Sequence, residues 1–310
     1  MNVLITGDRG FIGSHIAEYF AGMKEISVYG WNSRGVYNYA AQESCVANML
    51  DYAATLQVLS TIRPDLIIHC AGNAEVSSSV IRPNDDLNKN YITTHNLLFA
   101  MKELQLHKCR FVLLSSAAVY GNPMRLPITE ESEINPVSPY ALHKKAAEDV
   151  CIFMHKNYGF PVKILRIFSV YGPGLRKQIF WDMYCKIQKE GRLDLFGSGA
   201  ESRDYIYISD LIRAIIAVVE SEDTRLIYNV ANGCEVTIRE AAECFAKHIN
   251  LPKEKISFAG VRREGDPINW RADITGLQRL GYRRQVSFDE GIRNYIKWVK
   301  ENPIPEETES

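Results

Sequence analysis

The stretch that decides the fold reads Asn2-Val3-Leu4-Ile5-Thr6-Gly7-Asp8-Arg9-Gly10-Phe11-Ile12-Gly13. Its apolar start predicts a buried strand that runs directly into three glycines spaced three residues apart. From Ile12 onward, apolar residues follow the spacing of one helical face, namely Ile12, Ile16, Tyr19 and Phe20. A strand, a glycine turn and a helix in this order predict the first unit of a dinucleotide-binding fold.

Each of the three glycines has its own role in such a turn. Gly7 permits the tight bend, Gly10 lets a pyrophosphate approach the backbone, and Gly13 lets the helix pack on the strand. Phosphates bind the free N–H groups at the N-terminus of the helix, where the helix dipole favours negative charge. We therefore predict cofactor contacts from Gly7, Arg9, Gly10, Phe11, Ile12 and Gly13.

The bulk properties of the chain exclude several classes of protein. Its 310 residues give room for one large α/β domain with a smaller lobe. The net charge of −1 provides no field that would attract nucleic acid or a membrane surface. Seven scattered cysteines, none in a C-x-x-C pair, indicate buried thiols in a reducing compartment and no metal site. No apolar stretch approaches roughly 18 residues, so we expect a cytoplasmic protein.

Further apolar, β-rich runs predict strands at Ile26–Gly30, Leu66–Ala71, Phe111–Ser116, Val162–Phe168 and Leu226–Val230. Because helical patterns separate these runs, we predict an α/β fold with a doubly wound parallel sheet. The spacing becomes irregular after residue 170. We therefore predict a nucleotide-binding domain over 1–170 with a strand returning near 225–231, and a smaller C-terminal substrate-binding lobe over mainly 171–300. Two prolines and four glutamates predict a disordered tail over 301–310.

The residues that carry chemistry follow the strand Phe111–Ser116. That strand ends at Ser116, and a predicted helix later places Tyr140 and Lys144 four residues apart on one face. A free phenol has a pKa near 10, but a neighbouring ammonium and an oxidised nicotinamide both lower it. The serine hydroxyl can hold the substrate oxygen while the proton moves. We predict that Ser116, Tyr140 and Lys144 are catalytic, whereas a surface Tyr–Lys pair is the alternative.

Several motifs in order carry a resemblance to a known family. They are Thr6-Gly7-x-x-Gly10-Phe11-Ile12-Gly13, Ser116-x-x-Val119-Tyr120-Gly121, Tyr140-x-x-x-Lys144, Leu165-Arg166-Ile167-Phe168-x-Val170-Tyr171-Gly172-Pro173, Phe196-Gly197-x-Gly199-x-x-x-Arg203-Asp204-Tyr205-Ile206 and Arg263-x-Gly265-Asp266. Over nearly its whole length the chain resembles the extended short-chain dehydrogenase/reductases that modify nucleotide sugars. The resemblance implies a Rossmann domain in which Ser116, Tyr140 and Lys144 are catalytic and Tyr140 and Lys144 also contact the cofactor.

The same resemblance implies further binding residues. On the substrate side these are Ser116, Ser169, Phe196, Arg203 and Arg263, with Ser169 standing where many relatives have asparagine. On the cofactor side they are Asn48, where many relatives have an adenine-binding aspartate, and Met49, Ala71 and Gly72. Relatives pair the helices corresponding to Asn90–His107 and Ser138–Tyr158, which implies a homodimer.

The residues after Ser116 narrow the reaction. Family members that dehydrate the sugar place an acid one or two residues later, and here those positions are Ala117 and Ala118. Alanine cannot transfer a proton, so dehydration is disfavoured. Reduction of a keto-sugar and 4-epimerisation of a nucleotide sugar both remain, because each needs only the serine, the tyrosine, the lysine and the cofactor.

The choice of cofactor separates these two reactions. An NAD site usually has an acid at the end of the second strand, and this chain has no Asp or Glu from Ile26 through Gln42. Arg9, Asn32, Ser33 and Arg34 are there instead, and they suit a 2′-phosphate. We therefore favour NADP(H) over NAD(H), and a C4 keto-reductase over the alternative, a UDP-glucose 4-epimerase-like enzyme. A non-catalytic dinucleotide sensor is the third reading.

Overall fold

A computed structural model describes residues 1–33, 35–38, 44–45, 47–261 and 268–303. The strands are β1 Asn2–Thr6, β2 Ser27–Asn32, β3 Gly35–Asn38, β4 Ser44–Cys45, β5 Leu66–His69, β6 Arg110–Ser116, β7 Val162–Ile167, β8 Ser169–Tyr171, β9 Leu193–Leu195, β10 Ser202–Tyr207, β11 Ile227–Val230, β12 Glu235–Thr237 and β13 Ile256–Phe258. All five strand runs predicted after β1 are present, with ends shifted by no more than two residues.

The helices are α1 Phe11–Ala21, α2 Tyr52–Ile62, α3 Val76–Ile81, α4 Pro83–Leu87, α5 Thr93–Glu103, α6 Pro139–Tyr158, α7 Gln178–Glu190, α8 Ile208–Glu220, α9 Ile238–Ile249, α10 Thr275–Arg279 and α11 Phe288–Glu301. A π-helical turn over Asn88–Ile92 precedes α5, and 3-10 turns cover Ala117–Tyr120 and Lys253–Lys255. Within the described part of the chain, no helix combines the length and the apolar character that crossing a bilayer requires.

The central sheet has the order β11-β7-β6-β5-β1-β2-β3-β4. Its first six strands are parallel, as the alternation of strands and helices predicts. The edge strands β3 and β4 are antiparallel and were not predicted. Because β1 and β5 lie at the centre, Val3, Leu4 and Ile5 are fully buried. The result is a Rossmann-like fold, and the carboxyl ends of β1, β5 and β6 meet at one edge.

Apolar side chains cover both faces of this sheet. One face packs against α1 and α8 through residues such as Ile16 and Leu211. The other packs against α2, α5 and α6 through residues such as Leu59 and Leu97. These two layers agree with the doubly wound architecture predicted from the sequence.

The C-terminal half forms two smaller sheets, β12-β10-β8 and β13-β9. It also contributes to the main sheet, because β11 pairs with β7 and α8 packs against both strands. Thr237 and Glu240 form a capping box at the start of α9. Helix α11 continues through Glu301, the first residue of the predicted tail, and residues 304–310 lie outside the described part.

Candidate active site

The glycine turn after β1 needs its glycines for steric reasons. Gly7 has a φ of 70°, and its N–H donates to the Trp31 carbonyl at 2.6 Å. A Cβ on Gly13 would lie 2.2 Å from the Gly7 carbonyl oxygen, so any side chain there would collide with backbone. Helix α1 begins after Gly10 with no side-chain cap and no acid in its first turn. This open N-terminus and its glycine cradle fit the pyrophosphate of a dinucleotide.

Asp8 is a residue of this turn that the sequence analysis missed. Its carboxylate is 2% exposed, and Oδ1 accepts a hydrogen bond from Asn32 Nδ2 at 2.9 Å. A Cβ on Gly30 would lie 2.3 Å from Asp8 Oδ2, so the glycine in β2 makes room for the carboxylate. The signal was present, because a glycine inside a strand marks a close approach. The turn thus places an acid beside the end of β2, although β2 itself has none.

The remaining predicted adenosine-side residues are spread along the same edge. The exposed Arg9 places its guanidinium carbon 4.3 Å from the centre of the Tyr37 ring, and Ser33 is exposed. Asn48 Oδ1 accepts from the Leu50 N–H at 3.0 Å, which engages this oxygen in a local turn. The Met49 carbonyl accepts a hydrogen bond from Asn96 Nδ2 at 2.9 Å. Arg34 lies outside the described residues. The roles of Asn48 and Met49 in adenine binding stay predictions.

Hydrogen bonds link buried polar groups at the ends of β1 and β5. The Ala71 N–H donates to Thr6 Oγ1 at 3.2 Å, and Thr6 Oγ1 lies 2.6 Å from His69 Nδ1. Burial lowers the pKa of His69 to about 3, with a further lowering from Lys144. His69 is therefore a neutral core side chain. Gly72 follows, and a Cβ there would lie 2.5 Å from Asn90 Oδ1 and 3.4 Å from Lys144 Nζ.

The structure brings Ser116, Tyr140 and Lys144 together. Ser116 ends β6, while Tyr140 and Lys144 lie in the first turns of α6, which Ser138 caps by accepting from the Ala141 N–H. Tyr140 and Lys144 are each 7% exposed, which contradicts the alternative of a surface pair. A hydrogen bond joins the side chains of Ser116 and Tyr140, and Lys144 Nζ donates to the Leu114 carbonyl at 2.9 Å.

The pKa of Tyr140 differs from the expectation that the neighbouring ammonium lowers it. Burial raises the pKa of Tyr140 to about 12, against a lowering by the Ser116 hydrogen bond and a further rise from Asp86. Burial also lowers the pKa of Lys144 to about 8, opposed chiefly by Asp86. In the protein alone, desolvation therefore outweighs the acidifying effect that the spacing of tyrosine and lysine suggested.

A buried ion pair holds α6 against the strands that it crosses. Arg166 on β7 and Glu148 on α6 are 2.8 Å apart and almost fully buried. Ser115 Oγ donates to Glu148 Oε1 at 2.6 Å, and Arg166 donates to the Tyr120 hydroxyl at 2.9 Å. Since Ser115 precedes Ser116 in β6, this network fixes the strand end to the helix that carries Tyr140.

Apart from Ser116, the predicted substrate-side residues that the structure describes lie on the smaller sheets or next to them. Ser169 begins β8, which pairs with β10, the strand that holds Arg203. Arg203 donates to the Ser202 carbonyl at 2.8 Å, and its guanidinium carbon lies 5.8 Å from the Trp270 ring centre. Phe196 is 50% exposed, with Lys186 Nζ 5.6 Å from its ring centre. Arg263 lies outside the described residues.

Among the described residues, one group has ligand atoms close enough to share a metal ion, namely Cys244, His248 and Asp289 within 4.8 Å of one another. The Asp289 carboxylate, however, already accepts from Lys247 Nζ at 2.9 Å and lies 3.0 Å from His248 Nε2. Side chains of α9 therefore compensate its charge, and the group is explained as an ion-pair network between α9 and α11.

Comparison with known proteins agrees with this geometry. The model of the NAD dependent epimerase/dehydratase family matches residues 3–231. A putative UDP-glucose 4-epimerase of Methanocaldococcus jannaschii is 28% identical over 306 residues, covering 97% of this chain and 99% of the relative. The UDP-glucuronic acid 4-epimerase of Bacillus cereus, solved with UDP-glucuronic acid and NAD, has a TM-score of 0.86 at 25% identity and covers 98% and 100% of the two chains.

A dehydratase is similar to the same extent. The dTDP-glucose 4,6-dehydratase DesIV of Streptomyces venezuelae, solved with NAD bound, has a TM-score of 0.86 at 27% identity, over 97% of this chain and 98% of the other. The family model matches well over half of the sequence. The two solved structures have the same fold as this chain over almost its whole length. The chain therefore belongs to the NAD-dependent epimerase/dehydratase family and is an enzyme of the extended short-chain dehydrogenase/reductase type.

Proposed function

We propose that this enzyme is a nucleotide-sugar 4-epimerase, which removes a hydride from C4 of the sugar and returns it to the opposite face. The observation that carries the proposal is the buried grouping of Ser116, Tyr140 and Lys144 at the sheet edge that also bears the glycine turn. A bound nicotinamide dinucleotide supplies the hydride acceptor and donor. The cradle formed by Gly7, Gly10 and Gly13 fits such a group.

The three side chains divide the proton chemistry between them. Tyr140 takes the proton of the C4 hydroxyl and later returns it, while the Ser116 hydroxyl holds the same oxygen. Lys144 contributes positive charge next to the phenol and binds ribose hydroxyls. Because burial holds the pKa of Tyr140 at about 12 in the protein alone, we expect efficient proton transfer only when a cationic ring lies beside the phenol.

Two features favour epimerisation over the other family reactions. Ala117 and Ala118 follow Ser116 and offer no acid or base for the additional proton transfers of a dehydration. The 4-epimerases among the relatives, at 25–28% identity over almost the full chain, favour epimerisation over keto-reduction. On the substrate side, Phe196 and Arg203 are the proposed contacts of the base and the diphosphate, because a guanidinium can bind two phosphate oxygens.

An NADPH-dependent reductase of a 4-keto-sugar is the second candidate. Arg9 beside Tyr37, together with the lack of an acid in β2, favours a cofactor with a 2′-phosphate. The buried Asp8 carboxylate opposes this reading, since it places negative charge beside the end of β2. The same three catalytic residues serve both reactions, so the cofactor balance distinguishes them.

A homodimer and a cytoplasmic location stay predictions. Exposed apolar side chains on α6 support the dimer, because Leu142 is 57% and Phe153 is 44% exposed. A second copy of α5 and α6 would cover them. Light scattering of the purified protein tests this, with a dimer mass expected and a monomer mass contradicting it.

The experiment that tests the function uses purified enzyme without added cofactor. Incubation with UDP-glucose or UDP-glucuronic acid is expected to give the 4-epimer by NMR, and acid denaturation to release a tightly held dinucleotide. Stoichiometric consumption of NADPH with a 4-keto nucleotide sugar, without epimer formation, would establish the reductase instead. The absence of both reactions would contradict an enzymatic role for Tyr140.

A further inference from the structure

Asp86 is a buried carboxylate that the proposed reaction does not use. It lies on α4 with 1% exposure, and three side-chain donors surround it. Oδ1 accepts from Asn73 Nδ2 at 2.9 Å and from Asn90 Nδ2 at 3.0 Å. Oδ2 lies 2.7 Å from His143 Nδ1, and the His143 side chain is 12% exposed. A carboxylate is buried so deeply only where hydrogen bonds and a paired charge compensate its lost hydration.

The three donors come from three separate segments that border the candidate active site. Asn73 follows Gly72 at the end of β5, and Asn90 lies in the π-helical turn before α5. His143 lies on α6 between Tyr140 and Lys144. Helix α6 is also tied to α3, because the Tyr140 N–H donates to Ser79 Oγ at 3.1 Å. Asp86 therefore joins the cofactor side of the cleft to the helix that bears the catalytic phenol.

The charge of Asp86 also reaches that phenol. It raises the pKa of both Tyr140 and Lys144, although burial is the larger influence on each. Among the other ionisable groups on the surrounding elements, Glu148 on α6 is buried and also acts on Lys144, but Arg166 pairs with it. Arg82 and Asp85 pair with each other at 3.8 Å on the surface, and Glu75 and Lys89 face solvent. Exposed charges are screened by water, whereas the interior pair of Asp86 and His143 is screened far less.

We propose that the Asp86–His143 pair is a positioning element of this enzyme, which anchors α6 to the cofactor side of the cleft and controls the charge felt by Tyr140 and Lys144. This inference rests on the proposed role of Tyr140. The catalytic unit then extends beyond the serine, tyrosine and lysine to a buried carboxylate and the imidazole that is hydrogen-bonded to it. His143, which the sequence indicated only as a neighbour of Lys144, is part of this unit.

The test measures the phenol directly. 3-Fluorotyrosine is placed at position 140 and titrated by ¹⁹F NMR in the intact enzyme, with Asp86→Asn compared against Asp85→Asn. The amide in Asp86→Asn still accepts from Asn73 and Asn90, so the contacts remain and the charge is lost. We expect Asp86→Asn to lower the titration midpoint by about one pH unit, and Asp85→Asn to leave it in place because that exposed charge is screened.

A second variant keeps the test decisive if Asp86→Asn does not fold. His143→Lys retains Asp86 and replaces the imidazole with an ammonium group, which adds positive charge near the phenol, so it is expected to lower the midpoint in the same direction. Unchanged midpoints in the folded variants would overturn the proposal. The readout needs no turnover: shifted midpoints in an enzyme that proves unable to epimerise would refute the proposed function and leave the electrostatic role of the pair standing.

Discussion

The two ends of the cofactor cleft are built in different ways. At the nicotinamide end, Tyr140 and Lys144 are buried on one helix and held by the Glu148–Arg166 ion pair beneath them. At the adenosine end, Arg9 and Ser33 are exposed, whereas Asp8 is buried. The first end is closely packed, and its buried hydroxyl groups suit the proton transfer that we propose. At the second end, few side chains are available to recognise the cofactor. Of these, Arg9 is cationic and favours a 2′-phosphate, whereas Asp8 is acidic and opposes one.

The largest effect is expected at the nicotinamide end. Tyr140→Phe keeps the buried ring and removes the hydroxyl that we propose moves the substrate proton, so kcat should fall by about 10³-fold. The dissociation constant of the cofactor should stay within about twofold, since the phosphates bind elsewhere. Steady-state turnover and fluorescence titration of the cofactor measure the two quantities.

A second buried tyrosine provides the control. Tyr228 on β11 is fully buried and donates to Asp223 Oδ2 at 2.9 Å. Tyr228→Phe should lower stability by about 1 kcal/mol and leave turnover unchanged. Equal losses of turnover in both variants would mean that Tyr140 acts only through packing.

The glycine turn joins the two ends, and its disruption should weaken the binding of any dinucleotide. In Gly13→Ala the new Cβ meets the Gly7 carbonyl oxygen at 2.2 Å, and neither backbone can yield. We expect about a 10²-fold loss of affinity for NAD and NADP alike. Gly22→Ala, at the other end of α1, has no neighbouring atom within 4 Å and should bind normally. Normal binding by Gly13→Ala would place the cofactor elsewhere.

The core beneath the nicotinamide end predicts a dependence of stability on pH. Burial lowers the pKa of His69 to about 3, so between pH 6.5 and 3 the unfolded chain binds a proton that the folded protein excludes. Stability should therefore fall as the pH falls, by about 2 kcal/mol at pH 5. Urea unfolding at pH 7.5 and pH 5 measures the difference. His69→Gln should remove this part of the dependence, whereas His107→Gln, at an exposed imidazole, should keep it.

The sequence predicted the nicotinamide end well because local rules determine it. A strand end fixes Ser116, and helical periodicity places Tyr140 and Lys144 on one face. The adenosine end was predicted incompletely, because Asp8 meets Gly30 only when two strands pair, and neither position reveals the other in the sequence. For the same reason the pairing of Asp86 with His143 was missed, since it depends on the packing of α4 against α6.

The smallest change in cofactor affinity is expected from substituting Arg9. This variant shows whether Arg9 or Asp8 determines which dinucleotide binds at the adenosine end. If the guanidinium binds a 2′-phosphate, Arg9→Gln should weaken NADP(H) binding by about tenfold and leave NAD(H) binding unchanged. Tyr37→Phe keeps the ring that Arg9 packs on, 4.3 Å away, and should change neither affinity. If Arg9→Gln weakens both dinucleotides equally, Arg9 binds the pyrophosphate that they share. Asp8 would then be the charge that determines the adenosine end, and the enzyme would select NAD, as an epimerase that retains its cofactor requires.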